Sequence, residues 1–359
     1  MDSFLIAKKQ AKSFDDKISK FAKHTQDSVN STNRSFDKFC KLYYDNRESQ
    51  AIFDELNTLK GIEQMESVRD VLQNWIDWQY DNGNLTTSIQ GSLSQIKRIF
   101  SHNRIKISKD GFNEPLELKP RIKEELHSLT LDEIRQIFKF ANPKKLSYYL
   151  ALSCTGARPS ELLQVRKKDV DITQKRIKIR IEAENTKTRS GRSIWLTKEA
   201  GKLLIPKLKK LDADDLVWAK NSNFTFAEKN EATQFGNLVD LAGFNERYKS
   251  NGYRMITLYS FRSFFFGIAS NVHREGYAHR MIGHGGYLPQ YDRMSDEQKL
   301  DWFIELEPKL MIDNNMLLQE ENRIQSEKIM ESKKKDNTID DLTQRLADIE
   351  KILKSNNTS

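Results

Sequence analysis

Apolar positions recur at helical spacing through most of the chain. Phe14, Ile18 and Phe21 stand at i, i+4 and i+7 and predict a short helix within a basic N-terminal arm. From Ser31 to about Ile107 the pattern predicts several helices. Phe36, Phe39 and Cys40 share one face, and Val68, Val71, Leu72 and Trp75 share another. Asp81-Asn82-Gly83-Asn84 stops that second helix, and Thr86-Thr87-Ser88 offers an N-cap for the next, which carries Ile89, Leu93, Ile96 and Phe100. Gly111, Pro115 and Pro120 among charges mark a linker. A fresh helix is predicted after Thr130, with Glu133 three residues on completing a capping box.

Beyond the linker the period changes once. A helix carrying Leu146, Tyr149 and Leu150 runs into Gly156, which breaks it, and Pro159 suits the first turn of the following helix. Between Arg176 and Ile181 the period is two. Ile177, Ile179 and Ile181 face one way, and Arg176, Lys178 and Arg180 face the other, as in a half-buried strand. The polar run Thr186–Arg192 separates it from Ser193-Ile194-Trp195-Leu196, which predicts a β-hairpin with a basic tip. From there to about Leu310 the pattern is mostly helical. In the last segment Ile339, Leu342, Leu346, Ile349 and Leu353 are spaced 3, 4, 3, 4, a two-heptad seam suited to a single tail helix or to self-association. The domains expected are 1–28, a basic arm; 29–110, a small helical domain; 111–128, the linker; 129–312, a mainly α domain with a small β-sheet; and 313–359, the tail.

Composition narrows the function classes. The 359 residues carry 59 Lys plus Arg against 51 Asp plus Glu, a net charge of +8 that suits a polyanionic partner. The two cysteines, Cys40 and Cys154, allow neither a disulfide framework nor a CxxC zinc site, and a reducing, cytoplasmic setting is expected. No membrane span is expected, because the most apolar stretch is interrupted by Arg262. His273, His279 and His284 lack a carboxylate to complete a metal set, and no GxxxxGK[ST] loop exists for ATP.

Four separated boxes carry the candidate chemistry: Thr155-Gly156-Ala157-Arg158-Pro159-Ser160-Glu161; Lys187 at the hairpin tip; Tyr259-Ser260-Phe261-Arg262; and Ile282-Gly283-His284-Gly285-Gly286, followed by Tyr287 and Tyr291. Two arginines can clamp the non-bridging oxygens of a phosphodiester, where negative charge builds in the transition state. A tyrosine hydroxyl is a legitimate covalent nucleophile, and a lysine on a hairpin can protonate the leaving oxygen. An arginine between Phe261 and Phe264 requires a partner, because an unpaired buried charge is expensive.

In order and spacing these boxes resemble the tyrosine recombinases, the phage-integrase and Xer-type strand-exchange enzymes. The likeness extends over nearly all the chain except its first ~30 and last ~45 residues, and the stretch around Tyr291 most resembles integrases of archaeal viruses and plasmids. The resemblance implies a two-domain, C-shaped DNA clamp. Its catalytic residues would be Arg158, Lys187, Tyr259, Arg262, His284 and Tyr291, with Glu161 supporting Arg158. It also implies duplex DNA with specific attachment sites as partner, a tetrameric synapse, nucleoid association, and no cofactor or metal. Lys97, Arg98, Arg104, Lys106, Arg189 and Arg192 are the expected DNA-binding residues. Two positions depart from the family: Tyr259 stands where histidine is usual, and the residue nine after His284 is Arg293, so Tyr291, seven after, is preferred over Tyr287 as nucleophile. A chromosome-dimer resolvase, a type IB topoisomerase-like relaxer and a catalytically dead DNA-binding protein are the rival readings.

Overall fold

The computed structural model describes residues 14–107, 114–284, 294–316, 318 and 339. The chain divides into two units, Met1–Glu124 and Glu125–Ser359, within the stretch read as linker. The first unit holds α1 (Phe14–Ile18), α2 (Lys23–Tyr43), α3 (Ser49–Thr58), α4 (Gly61–Asp81) and α5 (Thr86–His102). Their apolar faces meet on a cluster of rings. Phe36 meets Trp75 edge-on at 5.6 Å and Phe100 at 5.5 Å, and Phe53 meets Phe100 at 5.0 Å. The start of α5 differs from the predicted Thr/Ser cap. Leu85 is the N-cap and makes no side-chain bond. The Thr86 hydroxyl is engaged elsewhere, by Tyr80 and the Lys119 carbonyl.

The second unit is mostly helical with one small sheet. It contains α6 (Leu131–Phe138), α7 (Pro143–Thr155), α8 (Pro159–Leu163), strands β1 (Val170–Asp171), β2 (Lys178–Ile181) and β3 (Arg192–Trp195), then α9 (Lys198–Leu208), α10 (Phe224–Leu241), α11 (Ser260–Val272), α12 (Glu275–Ile282) and α13 (Asp296–Leu310). The strands pair antiparallel in the order β1-β2-β3, with Ile181 opposite Arg192. Every residue from Ser147 to Thr155 is buried, so the second half of α7 is apolar-facing all round and forms the centre of the unit. The predicted capping box forms at Thr130/Glu133, and a second one at Ser295/Gln298 opens α13.

Two polar contacts differ from the surface pattern of the sequence. Arg176, read as solvent-facing, is buried: its Nε donates to Glu307 Oε2 at 2.7 Å, because α13 covers that end of the sheet. Glu199 accepts the backbone N–H groups of Ile312 and Asp313. The packed unit therefore continues past residue 312, where the tail was expected to begin. The heptad seam lies outside the described residues, apart from Ile339. Cys40 and Cys154 are both free and buried. Among the described residues, no helix is long and apolar enough to cross a membrane.

Gly156 is the one glycine whose conformation the fold demands most directly. It ends α7 with φ +60°, and a Cβ there would lie 2.7 Å from Phe265 Cδ1 and 2.9 Å from Ile282 Cγ2. Gly156→Ala combines left-handed strain with overpacking and is expected to destabilise the second unit by about 2–4 kcal/mol. In urea unfolding this reads as a lower midpoint at unchanged slope.

Candidate active site

The reversal at Gly156 brings the chain out of the core and into α8. Pro159 disfavours helical backbone at the residue before it, and Arg158 accordingly adopts φ −69°, ψ 144°. Glu161, one turn on, folds back to it. One carboxylate oxygen accepts the Arg158 backbone N–H at 2.9 Å, and the other accepts its Nη1 at 2.7 Å. Glu161 is 1% exposed. Burial alone would raise its pKa, but Arg192 and Arg158 together hold it below the ordinary carboxylate value.

Arg262 enters from the first turn of α11. Its Nη1 donates to the Gly156 carbonyl at 2.8 Å, which explains how a charge survives between Phe261 and Phe264. Its Nη2 is buried and has no hydrogen-bond partner among the described residues. Burial, and then the neighbouring Arg158, push the guanidinium down to about 10, so it remains charged at neutral pH. Arg158, Arg192 and Arg262 thus gather around a single carboxylate, a local surplus of positive charge with one donor nitrogen unused. Such a site is built for an anion.

His284 follows α12, whose last turn is closed by Gly283 at φ +74°. The His284 ring lies 5.6 Å from that of His279. Burial, Arg262 and Arg158 lower its pKa, which keeps the imidazole neutral at pH 7 and able to donate one N–H. Tyr259 caps α11 and is half exposed. Its hydroxyl donates to Glu228 Oε1 at 3.2 Å. Burial and Glu228 raise its pKa, so the phenol stays protonated and is not itself a base.

The hairpin tip places Lys187 and Arg189 in solvent. Thr186 organises it, accepting the Ser190 backbone N–H at 3.0 Å and donating to the Ala183 carbonyl at 2.9 Å. At the far side of the site, α13 is pinned to the sheet. Asp296 accepts from Lys178 at 2.7 Å and from the Ser193 hydroxyl at 2.9 Å, and these contacts with Lys299 hold its pKa well below the usual range despite burial. Tyr287 and Tyr291, between His284 and Met294, lie outside the described residues.

Residues 127–261 match the model of the Phage integrase family. The match takes in Arg158, Lys187 and Tyr259 and ends one residue before Arg262. The fold is that of the tyrosine recombinase catalytic domain. A lambda integrase dimer bound to a COC′ core site is similar with a TM-score of 0.52 at 14% identity, over 81% of this chain and 92% of that one. A Tn1549 transposon integrase in complex with transposon right end DNA gives 0.49 at 15% identity, covering 75% and 97%. The XerA recombinase gives 0.37 at 15% identity, covering 80% and 93%. No curated protein matches the chain.

One expectation for the second unit is revised. Arg192, read as a DNA-facing residue of the basic tip, is buried: Nη2 donates to Glu161 at 2.6 Å and Nε to the Met281 carbonyl at 2.8 Å. Both faces of β3 are buried, from Arg192 to Trp195, and Arg192 lies opposite the buried Ile181, so the strand as a whole faces inward. The Glu228 contact to Tyr259 had no sequence signal, because α10 and α11 are 18 residues apart and meet only in the fold. In the first unit Lys97, Arg98, Arg104 and Lys106 are all exposed, with the Arg98 guanidinium 4.5 Å from the Phe21 ring centre.

Proposed function

We propose that the protein is an integrase: a site-specific recombinase that cuts and rejoins duplex DNA through a 3′-phosphotyrosine intermediate. The observation that carries this reading is the buried Nη2 of Arg262, without a hydrogen-bond partner among the described residues, beside Arg158 and Arg192 with the one carboxylate of Glu161 between them. A phosphodiester supplies the missing acceptor and the balancing charge. Arg158 and Arg262 grip its non-bridging oxygens, and neutral His284 donates a further hydrogen bond. Tyr291 attacks phosphorus. The tyrosyl oxygen–phosphorus bond forms, the bond to the 5′-oxygen breaks, and the tyrosine proton passes to solvent or a neighbouring acceptor. Lys187 gives a proton to the departing 5′-oxygen. The ester conserves the energy of the cleaved bond, so attack by a partner strand's 5′-hydroxyl completes exchange without cofactor.

Phosphate contacts from Lys97, Arg98, Arg104, Lys106 and Arg189 supply salt-dependent affinity for the duplex. Pairing two sites requires a homo-oligomer, most simply a tetramer, acting on DNA in the host nucleoid. The likeness of the segment around Tyr291 to integrases of archaeal viruses and plasmids favours a mobile element as the source. Attachment sites flanking the protein's own gene would support that origin.

The decisive experiment uses a nicked suicide substrate and then two cognate sites. An integrase traps a covalent adduct and recombines the pair. A type IB-like relaxer forms the adduct but leaves the pair unjoined, and a dead DNA-binding protein does neither. The same substrate tests Lys187. A bridging 5′-sulfur leaves without a proton, so Lys187→Ala should be slow on the oxygen substrate and largely restored on the sulfur one. Failure of rescue would move the general acid elsewhere.

A further inference from the structure

We propose that Arg192 is a positioning residue of this site, acting on the scissile phosphate through Glu161 and Arg158. The inference rests on the reading that Arg158 grips that phosphate. Two segments distant in sequence meet on the Arg192 guanidinium. Its two terminal nitrogens face the two oxygens of Glu161, at 2.6 and 3.3 Å. Its Nε holds the carbonyl of Met281 in the last turn of α12. Gly283 comes so close that a Cβ there would lie 2.6 Å from Nη1, and His284 is the next residue. Arg192 also opens β3, five residues after Lys187, so the strand that roots the hairpin fixes the arginine box and the histidine box as well.

The electrostatic consequence is specific. Glu161 with Arg158 alone would be a closed ion pair, its carboxylate neutralising the charge that the phosphate needs. With Arg192 on the other side, the carboxylate is shared between two guanidiniums and the trio keeps a net positive charge. Arg158 is held by two bonds to Glu161 yet still projects field toward an anion. The planar fork matters, because three directional N–H groups serve three acceptors at once; an ammonium has no such fixed geometry.

The test compares wild type, Arg158→Ala, Arg192→Gln and Arg158→Ala/Arg192→Gln on suicide substrates whose scissile linkage is either a phosphodiester or an uncharged methylphosphonate. On the phosphodiester, Arg192→Gln should form adduct roughly 30- to 100-fold more slowly at saturating DNA, with Kd changed less than about twofold. On the methylphosphonate the gap should shrink to a few-fold, as it should for Arg158→Ala, since a neutral phosphorus centre needs less charge. The double variant should be no slower than Arg158→Ala alone, because residues acting as a unit are not additive. Arg192→Lys keeps the buried charge and is read by the same comparison if the glutamine variant does not fold. An equal defect on both substrates, or additive losses in the double variant, would reduce Arg192 to a structural ion pair. If Arg158→Ala itself cleaves the phosphodiester normally, the recombinase reading of the arginines fails instead, and the two failures are told apart.

Discussion

Arg158→Ala and Arg262→Ala are each expected to lower the rate of DNA cleavage by about two to three orders of magnitude, the range seen when a preorganised transition-state donor is lost. Duplex affinity should hardly move, since most of it comes from phosphate contacts spread over the surface. The two variants should differ in stability. Arg158 is bound by Glu161, which keeps Arg192 when Arg158 is removed. Arg262 holds the Gly156 carbonyl at the point where α7 ends, and its removal leaves that acceptor without its charged donor. Arg262→Ala should therefore also lower the urea midpoint, whereas Arg158→Ala should leave it closer to wild type. Binding isotherms and single-turnover cleavage at saturating DNA check the first claim. Equal loss of binding and cleavage would show that the arginines only anchor the duplex.

What the sequence made legible follows from local rules. Capping boxes, the Gly156 break, the Pro159 start and the period-two run of isoleucines are decided by residues within a turn of one another, and each forms where its spacing indicates. The order of the four boxes was readable for the same reason, because each is a short run with its own chemistry. What was not readable depends on contacts between elements. Arg176 is buried by Glu307, 131 residues away, and Tyr259 spends its proton on Glu228. Arg192 is the instructive case. Its charge and its place beside a basic tip suggest DNA, but the whole of β3 is buried, and Glu161 and Met281 supply the acceptors that let a guanidinium sit there.

Tyr259 also constrains the nucleophile. With its hydroxyl hydrogen directed at Glu228 and its pKa raised, it neither takes a proton at neutral pH nor offers itself as a phenolate. On the proposed reading the attacking phenol comes from the segment between His284 and Ser295, where Tyr287 and Tyr291 are the tyrosines. That segment starts beside the arginine pocket at Gly283 and ends at the capped α13, fastened to the sheet through Asp296. Tyr287 is three residues from His284 and Tyr291 is seven, so Tyr291 is nearer the nine-residue spacing of the family that the sequence resembles. Tyr291→Phe is expected to bind DNA as wild type does and to form no covalent adduct on a nicked suicide substrate, while Tyr287→Phe still forms one. Peptide mapping of the trapped wild-type adduct gives the residue directly. Nucleotide on Tyr287 would reverse the assignment within the segment, and adducts from both single variants would remove the nucleophile from it.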